Sequence, residues 1–222
     1  YTENSTEYND FEPGQHYLSL TKTEKNMIDM VTKNFANVVL VYNGANTLEM
    51  GFVNDYPQIK SVIWCPGTGQ TGFNALGEIV AGEVNPSGHS ADTFVYDLTA
   101  APYFNNIGDF AYTNADSVGY TVASQAGGDA KLVPPHFVNY VEGIYVGYKF
   151  YETAADEGLI DYDKEVVYPF GYGLSYTTFT QKMSDITSDG SSLKFSVTVT
   201  NTGSDAGKDV VEIYNDPPYT NG

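Results

Sequence analysis

Arginine is absent from the sequence, and all ten basic residues are lysines. Arginine is the side chain that holds a phosphate or a carboxylate through two parallel hydrogen bonds, so this mode of anion recognition is excluded. Twenty-eight acidic residues give the chain a formal net charge of −18 at pH 7. Because that charge repels nucleic acid and anionic membrane surfaces, we expect neither as a partner, whereas a neutral ligand meets no such repulsion.

Cysteine is scarce as well, since Cys65 is the single one among 222 residues. A disulfide bond within the chain is therefore excluded, and a lone thiol at the end of an apolar run acts as a small hydrophobic side chain. Long apolar runs are also missing, and the chain opens on the polar string YTENSTEYND. We expect neither a membrane span nor a signal peptide in these residues. The cellular location stays open, with secretion or the cell surface slightly favoured over the cytoplasm.

The three histidines, His16, His89 and His136, are far apart in the sequence. None of them has a partner three or four residues further along, which is the spacing of many zinc sites. We therefore predict that the chain holds no metal ion.

Hydrophobic periodicity indicates a helix and two strands in the first part of the chain. Thr21 and Glu24 form a capping-box pattern, and the apolar residues that follow share one helical face over residues 21–36. Val38–Tyr42 and Ile59–Trp64 are short apolar runs, typical of strands that are buried on both faces of a parallel sheet. A helix followed by two buried strands predicts an α/β fold.

The middle of the chain alternates between glycine-rich turns and helical patterns. Residues 67–72 contain three glycines, and a helical stretch over residues 75–80 follows, with Gly82 as its C-cap. Residues 97–135 have no sustained period and predict long loops with short elements. Tyrosines at helical spacing predict a further helix over residues 142–152.

Near residue 180 the pattern changes to that of an all-β segment. Residues 193–200 alternate as LKFSVTVT, residues 201–203 form a turn, and residues 210–214 predict another strand. Two or three strands are too few to close a β-sandwich, so we expect a truncated one and a chain that is cut at both ends. The predicted domains are residues 1–179, an open and mostly parallel sheet with helices on both faces, and residues 180–222.

Four strings, in this order and spacing, resemble the C-terminal half of family 3 glycoside hydrolases. They are PGTGQTGFNALGEIVAGEVNPSG at 66–88, EGIYVGYKFYE at 142–152, YPFGYGLSYTTF at 168–179 and FSVTVTNTGSDAGKDVVEIY at 195–214. The last resembles the start of a fibronectin type III-like domain. Two positions depart from the family pattern, because Lys149 and His89 stand where arginine is usual.

The resemblance implies an enzyme of the β-glucosidase type that acts on a carbohydrate with retention of configuration. In that scheme an aspartate on a separate (β/α)8 barrel attacks the sugar, and a glutamate from this second domain transfers the proton. The two carboxyl groups are then about 5 Å apart. The nucleophile is then outside these residues, and the glutamate is expected upstream of Tyr1. Glu7 and Glu12 are the nearest substitutes within the chain. Alone, the chain is expected to be inactive.

Two other functions remain open from the sequence. Residues 67–72 satisfy the dinucleotide-binding glycine pattern and Asp92 follows at a suitable distance, but no βαβ unit flanks them, which favours a tight structural turn and no cofactor. A non-catalytic carbohydrate-binding or scaffolding module is the second alternative. The tyrosines of 168–176 are expected mainly to pack in an ordered, non-helical connection rather than to contact substrate. Either order of barrel and α/β domain is compatible with the chain.

Overall fold

A computed structural model describes residues 18–106, 112, 114, 117, 119–122, 131–133 and 137–215. The helices are α1 (Lys22–Asn34), α2 (Gly72–Val80), α3 (Tyr148–Asp156) and α4 (Tyr162–Glu165). The strands are β1 (Val38–Tyr42), β2 (Ile59–Trp64), β3 (Phe94–Val95), β4 (Tyr120–Val122), β5 (Lys131–Val133), β6 (Val166–Tyr168), β7 (Phe179–Met183), β8 (Thr187–Ser188), β9 (Leu193–Lys194) and β10 (Val197–Asn201). Three short 3₁₀ turns connect them, at Gly51–Asp55, Leu98–Ala100 and Phe104–Asn106.

Helix α1 begins where its capping box predicts. The Glu24 backbone N–H donates to Thr21 Oγ1 over 3.3 Å, and the Thr21 backbone N–H donates to Glu24 Oε2 over 2.8 Å. Ile28 and Thr32 are buried on the inner face. The helix ends at Asn34 because Phe35 takes an extended conformation, so the predicted helix is confirmed with an end two residues earlier.

Strands β1 and β2 form a parallel pair. The Val38 N–H donates to the Gln58 carbonyl and the Cys65 N–H donates to the Tyr42 carbonyl, each over 2.8 Å, so partner numbers rise together along the two strands. Both strands have the predicted bounds. The prediction that both faces are buried is wrong for β1, because Val39 and Val41 are 48% and 38% exposed.

The turn after β2 leads into helix α2, as the glycine pattern predicts. Gly69 has a φ of 60°, which only glycine adopts without strain. The helix starts at Gly72, three residues before the predicted stretch, and ends ahead of Gly82, whose φ is 78°. The C-cap itself is Ala81, and Gly82 is the positive-φ residue that follows it, so the predicted cap is one residue too late.

The described residues fall into two compact units. The first takes its residues from 1–38, 46–61 and 94–167, and the second from 39–45, 62–93 and 168–222. Neither unit is one continuous stretch, and strands β1 and β2 contribute residues to both. The predicted division at 179/180 stays a prediction.

The core of the first unit lies around the 3₁₀ turn at Leu98–Ala100. Val95, Leu98, Tyr151 and Val166 are at most 7% exposed and cluster together. Strand β3 pairs with β6 beside this cluster. β3 has two residues and β6 has three, and the two strands are far apart in the sequence. Strands this short give no periodic sequence signal, which explains why neither was predicted.

Helix α3 corrects the prediction for residues 142–152. Residues 142–144 and 147 lie in turns, residues 145 and 146 are irregular, and the helix begins at Tyr148. The cause is Gly147, whose φ of 60° and ψ of −130° lie outside the helical region. The tyrosine spacing predicted the helix correctly, but the glycine sets its start six residues later.

The second unit contains an antiparallel pair, β7 with β10, in a register that joins Phe179 to Asn201. The predicted strand over 193–200 is interrupted after Lys194, and β10 begins at Val197. The prediction of a strand over residues 210–214 is wrong. In that segment the Val210 carbonyl accepts from the Gln181 side chain over 2.9 Å rather than from a neighbouring strand.

Among the described residues, no helix has the length and apolar character needed to cross a membrane.

Candidate functional site

The corner after helix α2 is organised by the side-chain amide of Asn85. Its Oδ1 accepts from the Ser175 hydroxyl over 2.9 Å and from the Tyr176 backbone N–H over 2.8 Å. Its Nδ2 donates to the Ala206 carbonyl over 3.1 Å. One side chain thus joins the corner to two later segments of the second unit.

Residues 171–176 lie directly on this corner. The Gly171 N–H donates to the Ser90 carbonyl over 2.7 Å, and the Ser90 N–H donates to the Tyr172 carbonyl over 2.8 Å. A Cβ on Gly173 would lie 2.6 Å from the Gly88 carbonyl oxygen and 2.7 Å from the His89 ring. Only glycine permits this close approach, so the YGLSY string and the NPSG string are two sides of one packed feature.

His89, at the position where the resembling family usually has arginine, packs its ring against Gly173. Its Nδ1 is buried, and within the described part of the chain it has no hydrogen-bond partner. An imidazole cannot form the forked contacts of a guanidinium, so the arginine's role does not transfer to this residue.

The tyrosines of the YPFGYGLSYTTF string are ordered and non-helical, as predicted, but two of them are more exposed than expected. Tyr168 is half-buried and stacks on Tyr172 with ring centroids 5.0 Å apart. Tyr172 and Tyr176 are 41% and 52% exposed. The Tyr176 hydroxyl donates to the Ile79 carbonyl over 2.8 Å, which fixes the direction of its ring.

The glycine turn at 67–72 is a strand-to-helix connection with open space around Gly67 and Gly69. Asp92, the acidic residue of the dinucleotide hypothesis, lies in a bend before β3, and its backbone carbonyl accepts from the Ser90 hydroxyl. A ribose-binding acid belongs at the end of the second strand of a βαβ unit. The position of Asp92 therefore favours the structural interpretation of the turn.

Glu7 and Glu12, the candidate proton donors, lie outside the described residues, as do His16 and His136. No group of three or more histidine, cysteine or acidic side chains suited to a metal ion occurs in the part of the chain that the structure describes.

The shifted pKa values of the described residues have structural causes. A hydrogen bond to the Asp29 carboxylate raises the pKa of Tyr56 to about 12. Burial raises the pKa of Tyr151, whose hydroxyl lies in the core of the first unit. The Lys164 ammonium lowers the pKa of the exposed Asp161 carboxyl, three residues before it. None of these groups lies at the Asn85 corner.

Two acidic side chains that the sequence did not single out have defined partners. Asn106 is 3% exposed and donates through Nδ2 to the Glu142 carboxylate in the first unit. In the second unit the Glu212 carboxylate lies against Gly171 and accepts from the Tyr214 hydroxyl. Asn106 and Glu142 lie in different turns, and Glu212 and Tyr214 lie in an irregular segment. A search for sequence patterns detects neither contact.

Comparison with known proteins decides the family. The profile of the glycosyl hydrolase family 3 C-terminal domain matches residues 2–148. The chain belongs to this family.

Relatives of this family 3 domain include β-glucosidases. Beta-glucosidase A of Butyrivibrio fibrisolvens is 32% identical over 223 aligned residues, which cover 94% of the chain and 23% of the relative. The β-glucosidase of Ruminococcus albus is also 32% identical, over 90% of the chain and 17% of its own length. The chain therefore spans about a quarter or less of these relatives.

Solved structures agree with this assignment. β-Glucosidase 3B of Thermotoga neapolitana, in complex with glycerol, superposes with a TM-score of 0.65 at 26% identity and covers 88% of the chain and 24% of that protein. A β-glucosidase from Paenibacillus barengoltzii gives a TM-score of 0.63 at 29% identity, over 83% of the chain and 17% of that protein. The likeness supports an α/β domain of a family 3 enzyme.

Proposed function

We propose that the chain is the second domain of a retaining β-glycosidase, and that the complete enzyme releases terminal β-linked, glucose-like sugars. The observation that carries this proposal is the 32% identity to a β-glucosidase over 94% of the chain. A carbohydrate is the expected substrate, and a (β/α)8 barrel is the expected partner domain.

The proposed chemistry needs two carboxyl groups about 5 Å apart. The barrel aspartate attacks the anomeric carbon while the glutamate from this domain protonates the departing oxygen. The same glutamate then takes a proton from the water that releases the sugar. Holding the proton donor at one fixed position against the barrel is this domain's contribution to the rate.

We infer that the acid/base glutamate lies upstream of Tyr1, with Glu7 and Glu12 as the candidates inside the chain. Each can be changed to glutamine in the complete enzyme, and Glu83→Gln, an exposed site on the corner loop, serves as the control. Loss of a general acid slows substrates with poor leaving groups by roughly 10²- to 10⁴-fold and spares those with good leaving groups.

The measurement compares kcat/KM for cellobiose with that for a dinitrophenyl β-glucoside. A selective loss of cellobiose activity in Glu7→Gln or Glu12→Gln identifies the acid/base. Full cellobiose activity in both variants places it upstream. A complete enzyme that hydrolyses neither substrate contradicts the proposed function.

The finer architecture is also a proposal. We propose an open, mostly parallel sheet that carries helices on both faces over residues 1–179, and the parallel β1–β2 pair supports the parallel arrangement. The antiparallel β7–β10 pair supports a fibronectin type III-like segment over residues 180–222.

A further inference from the structure

Residues 172–176 lie outside the helices and strands, and their side chains alternate in exposure. Tyr172, Leu174 and Tyr176 are 41%, 72% and 52% exposed, whereas Gly173 and Ser175 between them are half-buried. Alternating exposure is what extended backbone produces, because successive side chains point to opposite sides. At about 3.3 Å per residue, the row of Tyr172, Leu174 and Tyr176 spans up to about 13 Å.

The inner side of the row is fixed at several points on the Asn85 corner. Ser90 bonds the backbone beside Tyr172, Gly173 rests on the His89 ring, and Asn85 bonds Ser175 and Tyr176. The tyrosine rings are fixed too, by the stack on Tyr168 and by the hydroxyl bond to Ile79. Because the backbone and the rings are already fixed, binding of a ligand here costs little conformational entropy, which favours affinity.

A carboxylate lies against Gly171, the residue that precedes the row. A Cβ built on Gly171 would lie 2.4 Å from Glu212 Oε2, so the Glu212 carboxyl group rests against the residue before Tyr172. The Tyr214 hydroxyl donates to Glu212 Oε2 over 2.5 Å, and Glu212 itself is exposed. The Tyr214 bond fixes the orientation of the carboxylate, whose oxygens accept hydrogen bonds only.

We propose that Tyr172, Leu174, Tyr176 and Glu212 form a binding platform for a short neutral oligosaccharide. Aromatic and aliphatic faces pack against the C–H face of a pyranose ring, and a fixed carboxylate accepts from its hydroxyl groups. An anionic ligand is disfavoured by Glu212 and by the net charge of −18. The length of the row suits more than one sugar ring.

The test is isothermal titration of the 222-residue chain with cellotetraose. We expect saturable binding that is unchanged between low and high ionic strength, because the ligand is neutral. Tyr172→Ala should weaken it roughly tenfold, whereas Tyr172→Phe, which keeps the ring, should stay within about twofold of wild type. Glu212→Gln should weaken binding severalfold, since charge-assisted hydrogen bonds are the stronger kind.

Tyr140→Ala is the matched control, because Tyr140 is 73% exposed and belongs to the first unit. Thermal unfolding confirms that each variant is folded. The proposal is overturned if wild type does not bind cellotetraose, if Tyr172→Ala binds as wild type does, or if Tyr140→Ala binds as weakly as Tyr172→Ala.

A wild-type chain that self-associates through the row without binding sugar also overturns the proposal, and makes this surface a protein contact. The titration contains no turnover step, so its outcome is independent of whether the complete enzyme hydrolyses a glucoside.

Discussion

Single residues carry much of the structure of the second unit, and Asn85 is the clearest case. Its amide satisfies Ser175, Tyr176 and Ala206 at once. Each such hydrogen bond contributes about 0.5–1.5 kcal/mol, and a polar group left without a partner costs more.

We predict that Asn85→Ala lowers the free energy of unfolding by about 2–4 kcal/mol, measured by urea denaturation. Asn85→Asp keeps an acceptor for Ser175 and Tyr176 but loses the donor to Ala206, so its loss should be smaller. Equal stability of Asn85→Ala and wild type would show that the corner does not depend on this amide.

Leu98 and Leu159 provide a matched pair in the first unit, at 0% and 77% exposed. Leu98→Ala should cost about 2.7–5 kcal/mol, since it removes transfer energy and leaves a cavity beside Val95 and Tyr151. Leu159→Ala should change stability by less than about 0.5 kcal/mol. Similar unfolding midpoints for the two variants would contradict the assignment of the core.

At the scale of elements, Thr21 and Glu24 alone predicted the capping box of α1, and the structure has that geometry. Thr21→Ala should cost about 1 kcal/mol of stability, because the Glu24 N–H loses its acceptor. Thr23, one position inside the helix, is the control, and Thr23→Ala should be neutral or slightly stabilising. Circular dichroism during urea unfolding distinguishes them, and equal effects would argue against the cap.

The turn between β8 and β9 is held by the Asp189 carboxylate. The Ser192 hydroxyl and the backbone N–H groups of Ser191 and Ser192 donate to it, and they lower the pKa of Asp189. A carboxyl group with a depressed folded pKa stabilises fully above the unfolded value of about 3.9, and this contribution is lost as the pH falls below it.

Wild type should therefore lose more stability than Asp189→Asn as the pH falls from about 5 to about 2. Urea unfolding at several pH values measures the difference. Parallel pH profiles would mean that the turn does not select the ionised form of Asp189.

Elements defined by local chemistry could be predicted, and those defined by distant contacts could not. β1, β2 and the positive-φ glycine after α2, Gly82, follow from composition and spacing over a few residues. The start of α3 depended on one dihedral angle, at Gly147. The strand expected over 210–214 was not formed, because a short apolar run does not supply the neighbouring strand that it needs.

The candidate site shows the same limit. The NPSG and YGLSY strings were visible in the sequence, but the hydrogen bond that joins them links Asn85 to Ser175, which lies 90 positions later. Exposure of Tyr172 was not predictable, since burial is the usual fate of an aromatic side chain.

At the scale of the whole molecule, the chain spans about a quarter or less of the curated relatives that it matches. It belongs to the glycosyl hydrolase family 3 C-terminal domain family, while spanning 23% of the Butyrivibrio fibrisolvens relative. The proposed mechanism needs two carboxylates, and we propose that a second domain supplies one of them. We therefore predict that the chain alone is inactive.

The most direct test is hydrolysis of an aryl β-glucoside by the 222-residue chain and by the complete enzyme, measured side by side at equal molar concentration. We predict no turnover above background by the chain and clear turnover by the complete enzyme, with the β-anomer of the sugar as the first product seen by NMR. Turnover by the chain alone, or an α-anomer as first product, would contradict the account.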